Sequence, residues 1–191
     1  MRKERFFFGF IGNKKRSVKL AYIAVMVALN VVVNAVTSIP LGFVQFSFVI
    51  AATSLAGIFL GAPLGFAVGF TGDLLGFFLG GGAGYTPFVG LAMGLIAFLF
   101  GLIFSFEWKG KNVWIWKVAF AAGLSFLLAT VGISTTVGFF LWNKTALTYF
   151  DFAVGRLFVS GQVWNNVINT ALLYFLLPAL SKIKQLKLTL D

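Results

Sequence analysis

The chain has 191 residues, of which 60% are hydrophobic, 18% aromatic and only 10% charged, and its mean hydropathy is +0.98. This make-up lies far outside that of a soluble domain and marks an integral membrane protein. Having no Cys, no His and few acidic residues, the chain excludes disulfides, thiolate and imidazole chemistry and most zinc sites; its net charge of +10 lies in clusters beside apolar runs, which suits lipid headgroups and not nucleic acid.

Residues 1–17 form a basic segment whose apolar run is broken at Gly12-Asn13-Lys14-Lys15-Arg16 and which has no clear cleavage site. It reads as a retained cytoplasmic segment lying in the interface through Phe6, Phe7, Phe8 and Phe10. A helix needs about 20 apolar residues to cross a bilayer. Six candidate spans follow within 18–180, at roughly 18–38, 46–61, 63–80, 87–106, 114–142 and 157–180. Only Gly61-Ala62-Pro63 divides the second from the third, and a proline just inside a helix start supports a break there. Residues 181–191 form a basic tail. Every Lys and Arg except Lys144 and Arg156 then falls on one side, which predicts an all-α bundle of six transmembrane helices in the cell membrane with both termini cytoplasmic.

Along these spans the apolar pattern is interrupted at a few places. Span one carries Ala21, Ala24 and Ala28 on one helical face, suited either to packing inside the bundle or to receiving another protein's helix. Its Asn30 and Asn34, four apart, suit interhelical hydrogen bonding. Glycines recur at 57, 61, 65 and 69 and at 72, 76 and 80, with Gly90 and Gly94 beyond, a spacing that lets helix backbones approach closely. Asp73 sits near the middle of span three, where an ionisable group must face the interior, a partner or water; fastening helices and meeting a ligand are both open to it.

The loop that follows, GGGAGYTP, lacks the Lys-Ser/Thr ending of a phosphate-binding loop and follows no strand. It reads as an external loop with an aromatic at Tyr85 and a helix start at Pro87. The last span opens with Arg156 and carries Gln162, Trp164, Asn165, Asn166 and Asn169, too polar a cluster for a lipid-facing helix. The four amides follow the spacing of one face and are read as ligand contacts in a pocket with apolar walls.

Six short spans, AVMVA in span one and the glycine-rich GD segment in span three together resemble the substrate-binding S components of energy-coupling factor (ECF) vitamin transporters. The resemblance runs over nearly the whole chain after residue 17. It implies capture of a water-soluble vitamin on the external side. It also implies docking of the alanine face onto a transmembrane scaffold subunit served by two ATPase subunits, so that ATP is hydrolysed by partners and the chain itself needs no cofactor or metal. Within the family, span one, QFSFVIAATSLAGIFLGAPLGF and GDLLGFF are nearest to folate-type members. Such members usually carry Phe-Pro-Gly where this chain has GYTPFVG, which keeps pantothenate, cobalamin or another micronutrient open beside folate.

Two other functions compete from the sequence. An intramembrane enzyme acting on lipid or isoprenoid substrates could use Asp73 as its acid or base, but the chain lacks the paired carboxylates, His or metal ligands such chemistry usually needs. A purely structural scaffold leaves the polar cluster of the last span without a purpose.

Overall fold

The computed structural model describes residues 3–36, 39–41, 44–80, 85–142 and 148–183. The glycine loop at 81–84, Lys144 and the basic tail from residue 184 onward lie outside the described residues. In chain order the helices are α1 (Lys3–Phe8) with a 3-10 turn (Gly9–Ile11), α2 (Arg16–Val36), α3 (Val49–Leu60), α4 (Ala62–Leu79), α5 (Pro87–Ser105), α6 (Val113–Ser125), α7 (Thr136–Trp142), α8 (Tyr149–Val154) and α9 (Gln162–Ser181). A π-helical stretch, Phe126–Thr135, joins α6 to α7 as one continuous span, and a second, Gly155–Val159, extends α8 toward α9.

Five helical segments are long and apolar enough to cross a membrane: Arg16–Val36, Ala62–Leu79, Pro87–Ser105, Val113–Leu141 and Gln162–Ser181. The sixth expected span is α3. Its 12 residues cover only about 18 Å at the helical rise, well short of a bilayer's hydrocarbon thickness. All of its residues are buried, because α2, α4, α5 and α9 surround it, so its ends meet protein instead of lipid. Between α2 and α3 the chain forms a short antiparallel ribbon, with Ile39 paired to Phe46 and Leu41 to Val44.

The break between α3 and α4 has a local cause. Gly61 adopts φ +85°, a conformation glycine takes without penalty, and Pro63 follows in the first turn of α4. The N-terminal segment seals this break. Gly9 lies against the Phe59 carbonyl and the Gly61 amide, Ile11 is buried, and Phe6 and Phe10 make edge contacts with Phe98 and Phe59. Of the four phenylalanines expected in the interface, only Phe7 and Phe8 are exposed; Phe6 and Phe10 turn inward because the α3–α4 break offers them apolar surface.

Most of the spaced glycines serve packing. A side chain on Gly57 would collide with the Ala97 backbone of α5, and one on Gly65 would stand 2.6 Å from the Gly57 Cα, so α3, α4 and α5 touch backbone to backbone. By contrast Ala21, Ala24 and Ala28 are exposed on the outer face of α2 beside Leu20, Val25 and Val32. The alanine face therefore does not pack inside this bundle.

Candidate substrate-binding site

The polar residues of α2 and α4 meet because α4 is notched with glycine. A Cβ on Gly72 would stand 2.6 Å from that of Asn30, and one on Gly76 2.5 Å from that of Asn34. The notches let both asparagines reach neighbouring helices. Asn30, fully buried, accepts from Thr53 Oγ1 at 2.7 Å and donates to the Met26 carbonyl at 2.9 Å. Asn34 Nδ2 donates to the Asp73 carbonyl at 3.1 Å and to Asp73 Oδ1 at 3.3 Å. The expected interhelical bonding of both is what the structure shows.

Asp73 is buried, and its second oxygen, Oδ2, accepts the Tyr85 hydroxyl at 3.0 Å. Tyr85 arrives from the loop before α5, and its ring is held against Phe77 at 5.4 Å and Phe78 at 6.0 Å. Burial, followed by the charge of Asp73 and the bond to it, pushes the Tyr85 phenol pKa upward, so the hydroxyl remains a donor. Asp73 thus satisfies the demand that a carboxyl within a span have partners.

Asp73 and Tyr85 stand on one wall of a cavity of about 510 Å³, within the usual range for small-molecule sites. Arg156, Gln162, Asn165 and Ser134 line another part, and Phe77, Val89 and Met93 supply apolar surface. Arg156 donates through Nη2 to Ser134 Oγ at 2.8 Å, which ties the second π-helical stretch to the first. Wide turns of this kind occur often at functional sites. Here the hydroxyls of Thr135 and Thr136 donate to the carbonyls of Thr130 and Val131, five residues back.

Five of the residues singled out in the sequence thus share one cavity: Asp73, Tyr85, Arg156, Gln162 and Asn165. Three do not line it. Trp164 is exposed on the outer surface, and Asn166 sits about 100° around the helix from Asn165, away from the cavity wall. Asn169 is fully buried and works as a clamp. Its Oδ1 accepts the Ala51 amide at 2.9 Å, and its Nδ2 donates to the carbonyls of Ser47 at 2.7 Å and Asn165 at 2.8 Å. These bonds fix the start of α3 to α9. The three- and four-residue spacing had put all four amides on one face; in three dimensions that face divides between cavity, core and periphery.

The sequence did not point to Ser134 or Asn34 as cavity-lining residues, although both line it. The run Ser134-Thr135-Thr136, three hydroxyl residues inside an apolar span, was the available signal for the first. For the second, the pairing of Asn34 with Gly76 across two spans is visible only once the helices are packed.

An apolar helical bundle around a partly polar cavity is the architecture of a multi-pass membrane protein with room for a small molecule. A family model described as ECF-type riboflavin transporter, S component, matches residues 14–182, and the chain belongs to that family. It is accordingly a transporter component and not an enzyme, which removes the lipid-processing alternative. Among solved structures, a crystal structure of FolT bound with folic acid is similar, with 25% identity and a TM-score of 0.65 over 82% of this chain and 90% of that one. No curated protein matches the chain.

Proposed function

We propose that the protein is the specificity subunit of an ECF importer in the cell membrane and that its cavity takes folate or a close pterin relative. The observation that carries this reading is the presence of Asp73 and Arg156 in the same cavity. A pterin ring presents an amino group and a ring N–H as adjacent donors, which suit a carboxyl acceptor. The glutamyl tail of folate presents carboxylates, which suit a guanidinium through paired hydrogen bonds. The likeness to the folic acid-bound FolT structure supports the same ligand class.

Pantothenate would use Arg156 but offers no such ring to Asp73, and cobalamin is far bulkier than a folate-sized ligand. Riboflavin is the second reading, favoured by the family model. On the proposed orientation both termini are cytoplasmic and the cavity faces outward. The exposed Ala21, Ala24 and Ala28 dock onto the transmembrane scaffold, and two partner ATPases supply the energy. Tyr85 and Gln162 would complete the ligand contacts together with Asn165.

Mass spectrometry of the detergent-solubilised protein, followed by calorimetric titration with folate, riboflavin and pantothenate, tests the proposal. A stoichiometric folate complex is expected. Saturable riboflavin binding with no folate binding would replace the first reading with the second.

A further inference from the structure

The turn between α5 and α6 connects two segments that are each long and apolar enough to cross a membrane, and a turn between two such spans falls at headgroup level. It is the same end of the bundle at which Phe6 of α1 packs on Phe98. Here a groove of about 560 Å³ is lined by Trp108, Lys109, Lys111, Val113, Trp116 and Phe120 among others. Trp108 and Phe120 meet at a tilt of 58° with ring centres 6.0 Å apart and form an apolar wall, and Trp116 is exposed. The turn is held in shape by Gly110 at φ +143° and Asn112 at φ +56°. Lys117 pins it from below, with Nζ donating to the Phe106 carbonyl at 2.8 Å. Lys109 and Lys111 are left exposed at the groove.

Lysines beside an indole-lined groove at headgroup depth combine two complementary features. Indole rings favour the interface, and ammonium groups attract anionic headgroups. Lys14, Lys15, Arg16 and Lys19, in the stretch that leads from α1 into α2, carry the same sign on the same expected side of the membrane without lining the groove. Glu107 is the acidic residue of the turn, and it does not line the groove. We infer that the groove at the α5–α6 turn binds one anionic phospholipid, with its phosphodiester at Lys109 and Lys111 and an acyl chain against Trp108, Trp116 and Phe120.

The test uses the full chain in nanodiscs of phosphatidylcholine containing a minor fraction of either brominated phosphatidylglycerol or brominated phosphatidylcholine. The contribution of the groove to tryptophan fluorescence is isolated as the difference from Trp108→Phe/Trp116→Phe. At equal bromolipid content, quenching of that contribution should be at least about twofold stronger with the anionic lipid. The preference should vanish in Lys109→Gln/Lys111→Gln and survive in Lys14→Gln/Lys15→Gln, which loses the same charge elsewhere. Equal quenching by the two lipids would overturn the assignment and leave the lysines to an acidic segment of a partner protein. Equal loss in both lysine pairs would overturn it in favour of diffuse surface attraction.

Discussion

The Tyr85 hydroxyl reaches Asp73 Oδ2 at 3.0 Å through a space that exists because residue 90 is glycine. A methyl group at position 90 would collide with the phenol oxygen and press on the Phe70 ring. A loop residue and a residue buried in a span, both lining the cavity, are thereby joined by an absent side chain on a third element.

Gly90→Ala should therefore detach Tyr85 and destabilise the protein by about 1–3 kcal/mol through overpacking. Tyr85→Phe keeps the ring contacts and removes the bond alone, which should cost about 1 kcal/mol. Thermal unfolding in detergent measures both, and a fully stable Gly90→Ala would show that Tyr85 has another place to go.

The Tyr85 phenol should remain protonated above the ordinary tyrosine value of 10.0. Because its folded pKa is raised, the associated stability is fully present below that ordinary value, declines as pH rises above it, and is gone once pH has risen through the higher one. Tyrosinate absorbance at 295 nm should accordingly coincide for the wild type and Tyr85→Phe up to the ordinary range. A smaller signal for the variant there would mean that the phenol ionises normally.

If the ligand carries a carboxylate, Arg156→Ala should weaken its binding by roughly 2–5 kcal/mol, or a few tens- to a few thousand-fold. Arg156→Lys should recover only part of this, since a lysine cannot form the paired contact. Calorimetric titration distinguishes the two vitamins as well, because riboflavin has no carboxylate and its affinity should change little. Unchanged folate affinity in both variants would remove Arg156 from the site.

Asn166 and Asn169 should separate cleanly. Asn169→Ala leaves the Ala51 amide and the Ser47 carbonyl without this partner next to a buried helix start, which should cost about 2–4 kcal/mol of stability. Asn166→Ala should leave both ligand affinity and stability nearly unchanged, since its side chain does not line the cavity. Unfolding and titration on the same preparations check both halves.

Ala24→Trp and Ala28→Trp should leave vitamin binding by the isolated protein near normal while abolishing uptake in cells that express the whole importer. Both positions are exposed on α2, so a bulky ring there meets a partner and not the bundle. Loss of binding in the isolated protein would show that the alanine face supports the cavity instead.

What the sequence determined by itself follows from local physics. Apolar runs of span length, the Gly61–Pro63 break and the alanine spacing on α2 are written in consecutive residues, and five spans form along the runs; the run at 46–61 yields only the short α3, and the last run forms its long helix from Gln162, after the π-helical stretch Gly155–Val159. The polar interruptions at Asp73, Tyr85, Arg156, Gln162 and Asn165 were legible for a related reason: lipid penalises a polar group unless it faces something else. The tertiary structure decided what each one faces. Asn165 and Asn169 are four residues apart on α9 and both bond Ser47 before α3, yet only Asn165 lines the cavity, while Asn169 is fully buried and also holds the Ala51 amide inside the helix start. The bond between Tyr85 and Asp73 depends on a glycine in α5, and the reach of Asn34 depends on a glycine in α4. Such relations depend on how closely separate helices approach one another, a distance set by packing of the whole bundle and carried by no single stretch of chain.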